Sequence, residues 1–107
     1  MERTDLVFSA LADATRRELL GVLARSSPRT ATQLVADFTI TRQGILKHLD
    51  VLAQAGLVEV QPKGREKRYS LSPRPLDDVE DWISAINARW QERLARLKDL
   101  VESDEPL

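Results

Sequence analysis

Residues 41–58 read TRQGILKHLDVLAQAGLV, and the reading of this stretch decides the fold. Thr41 is a helix-capping residue type, because its hydroxyl can accept from a free N–H of the first turn. At about 100° per residue, Ile45, Leu49 and Leu52 fall on one side. Gln43, Lys47 and Asp50 lie opposite, Arg42 and Leu46 occupy one flank, and Gly44 and Val51 the other. Gly56 stands where a helix ends on a left-handed glycine. The pattern predicts an amphipathic helix over Arg42–Gln54, with Arg42, Gln43, Leu46 and Lys47 turned outward at its N-terminus. Arg and Lys can donate to guanine O6 and N7, Gln can pair with adenine, and Leu can touch a thymine methyl. Gly44 lets the backbone come close to a ligand, at about 1 kcal/mol of helix stability. The dipole and the free N–H groups at this end favour phosphate.

Upstream, Thr30 can cap a helix over residues 31–37, whose apolar positions are Leu34, Val35 and Phe38. Thr39, Ile40 and Thr41 form a tight connection. Helix, short turn and a second helix placed to enter a groove make a helix-turn-helix. Two more helices precede it. One covers residues 4–12 with Leu6, Val7, Ala10 and Leu11 as its stripe. The other, Ala14–Arg25, is capped by Asp13, has Leu19, Leu20 and Leu23 at its core positions, and is broken by Ser26, Ser27 and Pro28.

Downstream of Gly56 the period changes. Residues 57–60 and 68–71 are strand-like, and Pro62, Lys63, Gly64, Arg65 and Glu66 between them predict a β-hairpin with a long tip, the wing. Lys63, Arg65, Lys67 and Arg68 cluster there, a set suited to phosphate; Arg68 alternatively pairs with Glu59 across the hairpin. A long helix, Leu76–Glu102, follows Pro73 and Pro75. Leu76, Val79, Ile83, Ile86, Trp90, Leu94, Leu97 and Val101 repeat on it at spacings close to a heptad seam, widened by Trp82 and Leu100. That stripe exceeds what a monomer of 107 residues easily covers.

The expected fold is therefore mainly α with a small β-hairpin: a winged helix-turn-helix of about five helices and a two-stranded wing. It forms a single domain over residues 1–107. Its parts are N-terminal helices in 1–26, the helix-turn-helix in 30–55, the wing in 57–72 and a C-terminal dimerisation helix in 76–102. Residues 103–107 are expected to fray.

Charge supports the division. Residues 41–68 carry six bases against three acids, whereas residues 75–107 carry nine acids against four bases. The chain has no cysteine and one histidine, so thiolate metal sites, disulfides and cysteine nucleophiles are excluded. No nucleophile with a neighbouring base and no glycine-rich phosphate loop is present, which argues against an enzyme. No cofactor is expected. No run of residues is long and apolar enough for a membrane span, and the N-terminal stretch, with acids inside it, does not read as a secretory signal; a cytoplasmic protein is expected.

Several residues have two readings. His48 lies at the edge of the buried side of its helix, as a packed or hydrogen-bonded residue or as a phosphate contact. Asp77, Asp78, Glu80 and Asp81 complement a helix dipole or, less readily, hold a hard cation. Phe8, Trp82, Ile86 and Trp90 form dimer core or line a cavity for a small apolar effector.

LADATRRELL (residues 11–20), the stretch of residues 41–58 and GREKRYSL (residues 64–71) together resemble the ArsR/SmtB-type bacterial repressors. The resemblance covers residues 5–102. It implies a homodimeric, sequence-specific repressor binding a double-stranded, inverted-repeat operator. Arg42, Gln43, Leu46 and Lys47 would read bases, while Thr41, His48, Lys63, Arg65, Lys67 and Arg68 would hold the backbone. The first and last helices would form the dimer interface through Leu6, Val79, Trp82, Ile83, Ile86, Trp90, Leu94 and Leu97. Metal-sensing members carry cysteines near the recognition motif or histidine and acidic ligands on the last helix; here neither set is complete, and no transition-metal sensing is expected. RWQERL (residues 89–94) is similar to members without metal sites. The competing readings are a winged-helix protein-interaction module and a repressor with a small organic effector at the dimer core.

Overall fold

The structure, a computed structural model, describes residues 2–102; the fraying expected of residues 103–107 lies outside them. The elements run α1 (Arg3–Leu11), α2 (Ala14–Arg25), β1 (Arg29–Thr30), α3 (Ala31–Val35), α4 (Arg42–Gln54), β2 (Val58–Lys63), β3 (Glu66–Leu71) and α5 (Leu76–Glu102).

Local chemistry starts each of the central helices. The Asp13 carboxylate accepts from the backbone N–H of Arg16 at the head of α2. Thr30 and Gln33 form a reciprocal capping box on α3. The Thr41 hydroxyl accepts from the Gly44 N–H at 3.0 Å. Gly56, with φ of 79°, supplies the left-handed turn that ends α4 and aims the chain into β2.

The apolar faces of these helices meet in one core. Val7, Leu19, Leu23, Leu34, Ile45, Leu49, Leu52 and Leu57 are almost wholly excluded from solvent. Leu6 and Val79 pack half-buried against the same core, so each is partly used within its own chain rather than being free for a partner.

The sheet is antiparallel with order β1–β3–β2. The two-stranded wing is β2 and β3, as expected, and three details go beyond the pattern. Arg29 and Thr30 pair with Tyr69 and Arg68, adding a short third strand. The hairpin strands run further, from Val58↔Leu71 to Lys63↔Glu66, so the tip is Gly64 and Arg65 alone, with Gly64 at φ 64°. Arg68 stands opposite Gln61, not Glu59. α3 also stops at Val35, two residues earlier than its apolar pattern implied, because Phe38 leaves the helix and packs on the core.

α5 is the exception to burial. None of its residues is buried. It touches α1, where Phe8 and Trp82 stack edge to face at 5.2 Å, and then runs on into solvent.

Candidate nucleic-acid interface

α4 is anchored by the faces of Ile45, Leu49 and Leu52, and this fixes what its other side presents. Arg42, Gln43 and Lys47 are exposed, and Leu46 is half-buried beside them. Thr41 is spent on the cap. The wing folds toward this end of the helix. A cavity of about 260 Å³ lies between them, walled by Arg42 and Leu46 of α4, Arg65 and Lys67 of the wing, and Thr30 and Thr32 at the head of α3. The acid Glu66 also reaches this wall. Two cationic segments about twenty residues apart in sequence thus face one concave surface, which suits a polyanion lying across both.

Tyr69 closes the inner side of this cavity. Burial raises its phenol above the ordinary value; nearby Arg42 opposes the shift and Asp50 adds to it. Asp50 accepts a hydrogen bond from Gln54 Nε2 at 3.0 Å. Lys63 is exposed opposite Glu66, next to the tip of the hairpin. Arg68 is half-buried on β3 and, with Arg29 of β1, lines a neighbouring depression. Thr32 and Arg29 carried no signal of their own in the sequence. They reach the interface through the β1–β3 pairing, which the local pattern does not contain.

A family model described as a helix-turn-helix domain matches residues 11–61. The chain is 38% identical to the uncharacterized HTH-type transcriptional regulator YuzN of Bacillus subtilis, over 74% of this chain and 94% of that protein. It is 35% identical to the transcriptional repressor SdpR of the same organism, over 72% of this chain and 84% of that one. Among solved structures it superposes on an ArsR-like transcriptional regulator from Rhodococcus with a TM-score of 0.76 and 39% identity, covering 94% of each chain. The chain belongs to the ArsR family. It is a DNA-binding transcriptional regulator of winged helix-turn-helix fold, and not an enzyme.

In this ArsR-family chain the single histidine is turned inward. His48 is half-buried, with Nδ1 at 3.4 Å from an Arg16 terminal nitrogen and 3.8 Å from the Asp13 carboxylate. The Asp13 carboxyl is held below the usual carboxylate range, chiefly by the Arg16 backbone N–H, with the charges of His48 and Arg16 adding to it. Asp77 and Asp78 lie exposed in the first turn of α5, where they complement the dipole. Among the described residues no three His, Asp or Glu side chains converge to hold a metal ion, and no helix is long and apolar enough to cross a membrane.

The last helix exposes the seam that its sequence spacing predicts. Trp82, Ile83, Ile86, Trp90, Leu94 and Leu97 are 41–57% exposed. Ile86 and Trp90 share an open depression with Arg89, Arg93 and Arg96.

Proposed function

We propose that this ArsR-family regulator is a homodimeric repressor that reads an inverted-repeat operator in double-stranded DNA. The observation that carries the proposal is the cavity shared by the N-terminus of α4 and the wing, with Arg42, Arg65 and Lys67 in its wall. Arg42, Gln43, Leu46 and Lys47 lie in the major groove and read base edges. Lys63, Arg65, Lys67 and Arg68, with the Thr41 turn, hold phosphates and set affinity and its salt dependence. The ring of His48 is engaged by Arg16 and Asp13, so it stands apart from the phosphate set.

The exposed seam of α5 is covered by the same helix of a second copy. Six large apolar side chains in one row are more than a soluble chain leaves to water without a partner. Two-fold symmetry then spaces the two recognition helices about 34–36 Å apart, one turn of duplex. Repression is supported by the kinship with SdpR, named a transcriptional repressor. Regulation does not pass through a thiolate metal site, because the chain has no cysteine. Residues 1–107 act as one domain in the cytoplasm, where the operator is.

The test is a gel shift of the upstream region of its own coding sequence against salt, with sedimentation of the free protein. A specific shift is expected that weakens by about a thousandfold or more between 50 and 200 mM salt, together with a dimer at micromolar concentration. Transcription from that promoter should fall as protein is added. No shift at low salt would replace this reading with a protein-interaction module. A monomer in solution would remove the α5 interface.

A further inference from the structure

We infer that Arg16, on α2, is a positioning residue for DNA binding: it ties the C-terminus of α1 to the recognition helix through His48. The inference rests on the proposed reading of α4 as the helix that enters the groove.

The last carbonyls of any helix lack partners within it. α1 ends at Leu11, and the chain supplies those partners from the next helix. Arg16 Nε donates to the Ala10 carbonyl at 2.7 Å, and a terminal nitrogen of the same guanidinium donates to the Ser9 carbonyl at 3.1 Å. Arg17 donates to the Leu11 carbonyl at 2.7 Å. A cation at a helix C-terminus also complements the dipole. Arg17 ends there, whereas Arg16 does more. Its other terminal nitrogen faces His48 Nδ1 at 3.4 Å, across 32 residues of sequence. One planar fork thus spans α1 and α4 while its own backbone N–H is capped by Asp13.

The contact sets a condition on the histidine. A guanidinium has five donors and no acceptor. The 3.4 Å contact is therefore a hydrogen bond only with the Nδ1 lone pair as acceptor and the ring proton on Nε2. The alternative, a proton on Nδ1, would turn the ring toward the Asp13 oxygen at 3.8 Å and set an N–H against an N–H of Arg16. His48 follows Lys47 directly, and the preceding turn carries Gln43 and Leu46. A shift of the imidazole moves the segment that reads bases. At its other end the fork grips α1, whose Phe8 stacks on Trp82 of α5. A continuous set of contacts then runs from Trp82 through Phe8, the Ser9 and Ala10 carbonyls and Arg16 to His48. Whatever displaces α1 against α5 reaches the DNA-reading turn by this route.

Lysine cannot reproduce a three-way planar fork, although it keeps the charge. Arg16→Lys is expected to lower affinity for the specific operator by roughly fivefold to tenfold, the size of one or two lost hydrogen bonds, with the dimer and the helix content retained. His48→Ala should lower it by a similar factor. The double variant should lose no more than either single one, since both remove the same link. Nitrogen NMR of the wild-type imidazole should show the Nε2–H tautomer, and Arg16→Lys should shift the ring toward a mixture. A role of Arg16 confined to capping α1 would leave the His48 tautomer unmoved and make the two losses additive. Either result overturns the inference, as does an Nδ1–H ring in the wild-type protein. Should Arg16→Lys fail to fold, the wild-type tautomer and His48→Ala decide. Failure of the operator assignment would instead appear as absent specific binding by the wild type.

Discussion

α4 and α5 are amphipathic helices of the same kind, and the structure treats them oppositely. On α4, Ile45, Leu49 and Leu52 are fully buried under α1, α2 and β2. On α5, Ile83, Ile86, Trp90 and Leu94 repeat as regularly, and each is between 41% and 54% exposed. The difference is one of surroundings. α4 sits between elements that close over its apolar face, whereas α5 touches the domain only near its start and extends past it. An apolar stripe states that a face must be covered. It does not state by what.

The largest expected effect comes from truncating a buried leucine. Leu49→Ala should destabilise the chain by about 2–5 kcal/mol, read from denaturant unfolding, with DNA binding lost in parallel as the fold goes. Truncating Leu97 of α5 should leave the stability of the dissociated monomer nearly unchanged, because that side chain has little to lose there. Equal effects from both would show that α5 is packed on its own chain.

The next effect lies in assembly. Ile86→Glu puts a charge in the middle of the α5 seam and should weaken the dimer by about a hundredfold or more, as seen by sedimentation, without loss of helix content. A dimer of undiminished strength would move the interface elsewhere.

Smaller effects separate the two parts of the DNA surface. Lys47→Ala should cost about 1–3 kcal/mol on the operator and relax base preference, while Arg65→Ala should weaken all duplexes alike and reduce the salt slope by about one. Competition gel shifts with specific and random DNA distinguish them; identical behaviour of the two variants would merge helix and wing into one electrostatic surface.

The smallest expected effect is a pH dependence of folding. The Asp13 carboxyl titrates below its unfolded value in the native chain, because the Arg16 N–H and the neighbouring cations favour its charged form. Its contribution is present above the ordinary carboxylate value of about 4 and is lost as pH falls through the lower native value. Stability should rise with pH across that interval in the wild type and rise less in Asp13→Asn. Equal slopes would show the cap to be uncharged in its effect.

Local sequence and tertiary contacts divide the fold between them. The helices α2, α4 and α5 were legible to the residue at both ends, since Asp13 and Thr41 cap, Gly56 stops, and prolines precede α5. The outward set on the recognition helix followed from the angle between positions. The sheet was less legible. β1 is two residues long and has no period of its own, and the run of Pro62 to Glu66 reads as a long tip because Pro62 and Gly64 are turn residue types, although Pro62, Lys63 and Glu66 here pair across the hairpin.

Sequence alone determined where α2, α3, α4 and α5 begin, which face is apolar, and that cations gather at the head of α4 and on the wing, because capping, periodicity and charge act within a few residues. Tertiary structure decided that the wing and the helix share one cavity, that Arg29 and Thr30 join the sheet, and that His48 turns to Arg16 rather than outward. Each of these depends on segments that meet only after the core around Leu19, Leu34 and Leu49 has closed. It also decided that Leu6 and Val79 go to that core while the rest of the α5 seam stays open, because a helix buries only the part of its stripe that its neighbours can reach.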